Sequence, residues 1–181
     1  MTDRERLRAM LREYSVRFGD FTLASGQKSS VYVDARLTTC RASAMPLIGR
    51  LFLEKFRERG WHPQAVGGLT MGADPISFAI AHESVNTATP VDAFVIRKEA
   101  KGHGMKQFVE GLSNSHGLPV VIIEDTGTTG ASTVVAVERA REAGLQVLGA
   151  VCLVDRESGA TANVERHCSF DRVFTLSELR A

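Results

Sequence analysis

Two adjacent carboxylates, Glu124 and Asp125, stand between an apolar run and a segment rich in threonine and glycine. The apolar run VVII at 120–123 is typical of a buried strand, and the segment TGTTG at 126–130 precedes a helix-like stretch. Where a strand ends and a helix begins, backbone N–H groups point outward and can bind a phosphate. Hydroxyl groups that could assist belong to Thr126, Thr128, Thr129 and Ser132. The segment also fits a tight turn whose threonines cap the helix, and alone it does not separate the two interpretations.

The two acids favour a particular kind of ligand. A carboxylate beside a phosphate repels it unless the carboxylate meets a different part of the same molecule. Vicinal hydroxyls of a sugar, or a magnesium ion with its water shell, are suitable partners. The chain has neither GxxxxGK(S/T) nor GxGxxG in this segment, so the common nucleotide fingerprints do not apply. We therefore expect a sugar phosphate, with the loop at its phosphate and the acids at its hydroxyls.

A second candidate is a polar, glycine-dotted stretch at 98–117, which is long for a loop between two strands. Side chains that are or can become cationic gather at its start: Arg97, Lys98, Lys101 and His103. Gly102 and Gly104 would let the stretch fold over a site and exclude water from it. The alternative is a solvated surface loop whose lysines serve only solubility, which is the commoner case for a basic loop considered alone.

Composition limits the possible functions. The 181 residues are 44% hydrophobic and 24% charged, which indicates one domain of ordinary size with a substantial core. The net charge of +1 argues against a nucleic acid or an anionic membrane surface as a partner. No secretory signal is recognisable, and no apolar run approaches the roughly 20 residues of a membrane span. The three cysteines are widely spaced without a CxxC pair, so we expect no disulfide framework or zinc site and a reducing, cytoplasmic setting.

The elements that must position these residues follow from periodicity. A capping box at Thr2 and Glu5 predicts an N-terminal helix, and 21–36 predicts two short strands around a turn. Further helices are expected at 43–59, 76–83 and 130–143, and further strands at 65–69, 91–98, 118–124 and 146–155, the last of the series. Alternating strands and helices predict an α/β fold with a parallel sheet and ligands at the carboxyl ends of its strands.

Residues 120–133 resemble the phosphoribosyl pyrophosphate (PRPP) motif of the type I phosphoribosyltransferases. In that family the acids approach the ribose 2- and 3-hydroxyls and the loop binds the 5-phosphate. RKEAKGHG at 97–104 and FTLASGQKSSVYVDAR at 21–36 are similar to the catalytic loop and the N-terminal signature of the orotate phosphoribosyltransferases. Three motifs in the right order thus identify the chain as a member of that family.

The resemblance implies the type I phosphoribosyltransferase fold, a central, mostly parallel sheet flanked by helices. It implies a single domain, 1–181, with an N-terminal helix and small hood at 1–40 and a flexible catalytic loop at 97–117. It also implies a homodimer in which the catalytic loop of one subunit serves the site of the other.

Individual roles are implied in the same way. Lys101, Asp125 and Glu124 would be catalytic, with Lys101 the chief catalytic residue. The implied PRPP-binding positions are Thr70, Met71, Arg97, Lys98, Lys101, His103, Glu124, Asp125, Thr126, Gly127, Thr128, Thr129, Gly130, Ala131 and Ser132. The implied orotate-binding positions are Tyr32, Val33, Thr128 and Arg156. Strand packing is the alternative for Tyr32 and Val33, and an exposed loop arginine is the alternative for Arg156.

Two positions depart from the family pattern. Many relatives have a lysine where this chain has Ala24, and a Tyr-Lys pair where it has Thr70 and Met71. Lys28 could compensate for the first change. The backbone of the TMGAD turn, with Asp74 nearby, could still bind pyrophosphate oxygens through magnesium.

The expected function is transfer of the phosphoribosyl group from PRPP to orotate in de novo pyrimidine (UMP) biosynthesis. The resemblance implies Mg²⁺ as cofactor, held mainly through PRPP and without a direct protein metal site. Small-molecule substrates are expected, with no nucleic acid and no membrane partner. Two alternatives stay open: a type I transferase for another base, such as a purine, and a non-catalytic nucleotide sensor on the same fold.

Overall fold

The structure is a computed structural model that describes residues 1–22, 28–99, 107–114 and 116–180. Its helices are α1 Asp3–Met10, α2 Arg36–Thr39, α3 Met45–Glu58, α4 Asp74–Ser84, α5 Ala131–Glu142, α6 Ala160–Val164 and α7 Leu176–Arg180. Its strands are β1 Val16–Thr22, β2 Lys28–Val33, β3 Ala65–Leu69, β4 Asp92–Ile96, β5 Val109–Glu110, β6 Pro119–Gly127, β7 Gln146–Asp155 and β8 Phe170–Thr175. None of the helices in these ranges has the length and apolar composition that crossing a bilayer requires.

The predicted N-terminal helix and hairpin are both confirmed. The hydroxyl of Thr2 accepts from the N–H of Glu5 at 3.2 Å, and the Glu5 carboxylate accepts from the N–H of Thr2 at 2.7 Å. A single π-helical turn, Leu11–Ser15, links α1 to β1. β1 and β2 pair antiparallel, and β1 begins at Val16, earlier than the predicted strand.

The main sheet has six strands in the order β5-β4-β3-β6-β7-β8. All its pairings are parallel except that of the two-residue strand β5 with β4. From β3 the chain proceeds outward to β4, whereas from β6 it proceeds outward in the other direction to β7 and β8. The carboxyl ends of β3 and β6 therefore lie side by side at the point where the strand order reverses, which is the usual ligand position in such sheets.

The apolar run at 120–123 explains why β6 lies at the centre. Its side chains are buried on both faces of the sheet, and they alternate between two cores because successive residues of a strand point in opposite directions. Val121 and Ile123 pack in the core that contains α3 and α4. Val120 and Ile122 pack in the core that contains α5. This double coverage is typical of a parallel sheet, and the mostly parallel α/β fold is confirmed.

Two expectations about the strands need correction. Strand β6 runs to Gly127 rather than ending at 124, because its ladder with β7 continues to the pair Gly127–Asp155. Strand 146–155 is not the last, since β8 pairs parallel to it. β8 was missed because FDRVFT places two charged residues between Phe170 and the buried pair Val173 and Phe174, which breaks the apolar run.

Candidate active site

A cleft of about 480 Å³ opens where β2, β3, β6 and β7 end. The predicted site residues that line it are Tyr32, Val33, Thr70, Met71, Lys98, Glu124, Asp125, Thr126, Thr128, Ser132 and Arg156. They come from segments that are far apart in the chain, so the parallel sheet brings them together. A larger cavity of about 740 Å³, lined by Trp61, Pro63 and Pro90 among others, contains none of the predicted site residues.

Glu124 is the buried member of the carboxylate pair, with 7% of its surface exposed. Its Oε2 accepts hydrogen bonds from the hydroxyls of Ser132 at 2.7 Å and Thr133 at 3.2 Å. Burial, with a contribution from the neighbouring Asp125 carboxylate, raises the pKa of Glu124 to about 7. Near neutral pH this carboxyl can therefore exist in both forms, one that donates and one that only accepts hydrogen bonds.

Asp125 is half-buried and faces the turn that follows β3. Its Oδ1 accepts from the N–H of Thr126 at 2.8 Å. A Cβ atom on Gly72 would lie 2.6 Å from the same oxygen, so only glycine lets the turn approach the carboxylate this closely. The two loops at the reversal point thus meet at Asp125.

The segment 126–130 leads from β6 directly into α5, as the sequence predicts. Gly130 precedes the helix with φ 78°, a left-handed conformation that favours glycine. No side chain caps the helix at this residue. The hydroxyls of Ser132 and Thr133, in the first turn of α5, bind Glu124 instead. This geometry favours the phosphate cradle over a turn whose threonines cap the helix.

A hydrogen bond from another helix holds the backbone of this segment, since the side chain of Asn163 on α6 donates to the carbonyl of Thr129 at 2.9 Å. The predicted positions of this segment that do not line the cleft are Gly127, Thr129, Gly130 and Ala131. Any part that these four residues play in ligand binding would come from their backbone groups.

The cations are distributed unevenly. Lys98 lines the cleft, whereas Arg97 does not, and the Nη1 atom of Arg97 pairs with Glu110 at 2.9 Å. Lys101 and His103 lie outside the described residues, as does Ala24. Thr70 lines the cleft and donates to the Asp74 carboxylate at 2.5 Å.

Arg156 lines the opposite side of the cleft, near β2. Its Nη2 is 3.4 Å from the carbonyl oxygen of Val31, and its Nε is buried without a hydrogen-bond partner among the described residues. The side chain is half-buried, which argues against a solvated loop arginine. Tyr32 and Val33 lie in the same cleft, so the β1–β2 hairpin forms one of its walls.

Sequence reasoning missed two charged residues of this cleft, Asp34 and Arg36. The guanidinium of Arg36 pairs with the Asp34 carboxylate through two bonds of 3.0 and 3.2 Å, and this contact raises the pKa of Arg36. Asp125 adds to the same effect. Both residues come directly after β2, which carries the predicted site residues Tyr32 and Val33, and this position could have indicated them.

No family model matches the chain. Individual proteins do match over nearly its whole length. The orotate phosphoribosyltransferase of Aquifex aeolicus is 43% identical over 183 residues, covering 99% of this chain and 98% of that protein. A crystal structure of Mycobacterium tuberculosis orotate phosphoribosyltransferase with Fe(III) dicitrate has a TM-score of 0.87 and 41% identity, covering 99% of this chain and 100% of the other. The same enzyme crystallised with PRPP has a TM-score of 0.83 and 37% identity, with the same coverage.

These matches extend over the whole domain rather than one motif. They agree in sequence identity, in coverage of both chains and in fold. The paired acids, the loop before α5 and the arginine across the cleft occupy a single site in that domain. The chain therefore belongs to the orotate phosphoribosyltransferase family.

Proposed function

We propose that this protein transfers the 5-phosphoribosyl group of PRPP to orotate, giving orotidine 5′-monophosphate and pyrophosphate in pyrimidine biosynthesis. The observation that carries the proposal is one cleft with two different anion sites. On one side the carboxylate pair adjoins the loop before α5, and on the other Arg156 has a buried Nε without a hydrogen-bond partner among the described residues. A phosphorylated sugar suits the first site and a carboxylated base suits the second.

Donor binding follows from the geometry of β6. The N–H groups of 126–130 and the N-terminus of α5 suit the 5-phosphate. Glu124 and Asp125 then face the ribose hydroxyls, where Glu124 can donate or accept because its pKa lies at about 7. Fixing the ribose in this way holds its anomeric carbon in the cleft between the donor and acceptor sites.

The chemistry needs no covalent enzyme intermediate. The bond between the anomeric carbon and the pyrophosphate oxygen breaks while N1 of the orotate dianion bonds to the same carbon. Negative charge grows on pyrophosphate, so cations placed around it stabilise the transition state. Lys98 lies in the cleft for this purpose, and we assign the same task to Lys101 and His103.

Magnesium is proposed as the cofactor, held mainly by PRPP. Among the described residues no group of three or more histidine, cysteine, aspartate or glutamate side chains is placed to hold a metal. Carboxylate oxygens do suit Mg²⁺, and Asp74 has a buried Oδ1 without a hydrogen-bond partner among the described residues. Bound there with pyrophosphate, the ion would neutralise charge on the leaving group.

A homodimer is proposed, with residues 97–117 of each subunit completing the site of the other. Arg97 supports this arrangement, since it does not line the cleft of its own subunit. Large apolar side chains are exposed at Met71, which lines the cleft, and at Phe78 on α4, with 64% and 52% of their surface accessible. Covering them with a second copy would bring the partner's loop to the cleft. The cysteines are free, which supports a cytoplasmic location.

The substrate assignment is tested by incubating the protein with PRPP, Mg²⁺ and one base at a time, and following ultraviolet absorbance. We expect orotate to be consumed, and we expect hypoxanthine and adenine to remain, because only orotate offers a carboxylate to Arg156. Turnover of a purine without turnover of orotate would assign another base. Tight nucleotide binding without any turnover would identify a sensor.

Asp125→Asn is expected to raise the KM for PRPP about tenfold or more, because an amide lacks the negative charge and the second acceptor oxygen that a carboxylate offers to the ribose hydroxyls. Steady-state kinetics with varied PRPP measure this. Asp34→Asn is the matched control in the same cleft, and its effect on the KM for PRPP should be smaller. Equal effects of the two variants would contradict the role assigned to Asp125.

Glu124→Gln tests the buried carboxyl through the pH dependence of stability. Because the folded pKa of about 7 lies above the ordinary value of 4.5, the folded chain keeps a proton that the unfolded chain releases between these pH values. Stability from this group is therefore complete below pH 4.5 and lost as pH rises through 7. Relative to the unsubstituted protein, the variant should gain on the order of 3 kcal/mol in unfolding free energy from pH 4.5 to 8.

Urea denaturation of the ligand-free protein at several pH values measures this difference. Glu138→Gln, an exposed glutamate of α5, is the control and should show no such trend. A constant difference between Glu124→Gln and the unsubstituted protein across this range would show that the Glu124 pKa is not raised.

Loop sharing is tested by mixing Lys101→Ala subunits with Asp125→Asn subunits at a PRPP concentration well below the KM of the Asp125→Asn variant, where each has low activity alone. If each loop serves the partner, a mixed dimer has one intact site, and about a quarter of full activity should return in a random mixture. Loops that serve their own subunit would give no recovery. Adding Phe78→Glu to both variants should prevent the recovery if the apolar surface at α4 forms the interface.

A further inference from the structure

The backbone around Arg156 is fixed on both sides of the residue. Its own N–H donates to the carbonyl of Gly127 at 2.8 Å, which continues the β6–β7 ladder past the end of β7. The next N–H, of Glu157, donates to the Asp155 carboxylate at 2.8 Å. Glu157 has φ 58°, the one positive φ of a non-glycine residue in the described ranges. The turn that aims Arg156 is therefore held in a conformation that an unconstrained chain avoids.

Asp155 is the centre of these contacts. Only 2% of its surface is exposed. Besides the Glu157 N–H, its carboxylate accepts from the Thr161 hydroxyl at 2.9 Å and from Nη1 of Arg172 at 3.0 Å. Arg172 also donates to the Thr161 hydroxyl at 2.8 Å, so the three side chains form a closed network. The network joins β7, α6 and β8 directly behind the turn.

A contribution to stability does not account for this network. Asp155 is buried, but 41% of the Arg172 side chain is exposed, and an ion pair with an exposed partner contributes little because solvent screens it. Nor does the network touch the substrates, because neither Asp155, Thr161 nor Arg172 lines the cleft. Its connections to the cleft run through the backbone: Asp155 pairs with Gly127 in the β6–β7 ladder, and its carboxylate binds the turn that carries Arg156.

The guanidinium of Arg156 makes few hydrogen bonds of its own with the described residues. Its Nη2 reaches the carbonyl of Val31 at a long 3.4 Å, and its buried Nε has no hydrogen-bond partner among the described residues. A two-point contact between an arginine and a carboxylate requires both partners to be aligned. The alignment of Arg156 must therefore come mainly from the backbone at 155–157, which the network fixes.

We propose that Asp155, Thr161 and Arg172 act as positioning residues that hold Arg156 for the carboxylate of the pyrimidine substrate. The network thereby sets the preference for a carboxylated base over the same base without the carboxylate. This role rests on the proposed function of the cleft. The three side chains bind the turn of Arg156 and not the bond from Asn163 to Thr129 that holds the loop before α5, so PRPP binding should depend on them less than orotate binding does.

The test compares equilibrium binding of orotidine 5′-monophosphate with that of uridine 5′-monophosphate, which differ only in the carboxylate. Thr161→Val removes one hydroxyl from the network with little change of shape. It is expected to lower the affinity ratio of the two nucleotides about fivefold, since small displacements of an aligned group are costly. The KM for orotate should rise by a similar factor, with the KM for PRPP and kcat within about twofold.

Three further variants complete the design. Thr161→Ser keeps the hydroxyl and should retain the affinity ratio of the unsubstituted protein. Asp155→Asn should lower the ratio further, towards that of Arg156→Ala. Asp171→Asn is the matched control. Asp171 lies on β8 next to Arg172 and pairs with Arg59, and its carboxylate accepts from the backbone N–H of Arg172 but from none of the three network side chains. Its ratio should not change.

An unchanged ratio in folded Thr161→Val would overturn the proposal, and this mild variant decides the matter even if Asp155→Asn fails to fold. Equal losses for PRPP and orotate would also overturn it, since they indicate general damage to the domain. If the unsubstituted protein neither used orotate nor preferred the carboxylated nucleotide, the proposed function itself would fail. A preference for the carboxylated nucleotide that is lost in Arg156→Ala but kept in every network variant would contradict the positioning role of the network and leave the proposed function standing.

Discussion

The structure depends on keeping two carboxylates beside a site that must also bind phosphate. In water such a pair would simply repel the ligand. Here burial and two hydroxyl bonds hold Glu124, and its pKa rises to about 7, which reduces the negative charge that this carboxyl carries near neutral pH. Asp125 stays beside the N–H of Thr126 and against the turn at Gly72. In the proposed function the acids then meet the ribose hydroxyls while the loop beyond them binds the phosphate.

The parallel sheet explains why donor and acceptor can share one cleft. The ends of β3 and β6 adjoin because the strand order reverses between them, and the end of β7 follows next to β6. These three ends supply the turn at 70–74, the acids with their loop, and Arg156. The β1–β2 hairpin closes the acceptor side through Tyr32 and Val33. A transfer between two bound molecules requires this proximity, and no single segment of the chain could provide it.

Much of this could be predicted from the sequence, and the successes have a common cause. The apolar run before Glu124, the alternation of strands and helices, and the capping box at Thr2 are local patterns that burial and hydrogen bonding require of neighbouring residues. The failures also have a common cause. β5 is too short to produce a pattern, and the charges in β8 face a partly polar surface that only the fold creates. A segment whose partner is distant in the chain need not show a local sequence pattern that indicates the pairing.

By itself, the sequence determined the fold class and the paired acids with their loop, and it predicted which residues bind a sugar phosphate. Those properties reside in short segments whose geometry is fixed by neighbouring residues. The tertiary structure alone decided that Lys98 enters the cleft while Arg97 turns to Glu110, and that Asp34 and Arg36 join it. It also decided that Arg172, on another strand, supports the turn of Arg156. Such facts depend on which strands become neighbours, and that is settled only when the whole sheet packs around its two cores.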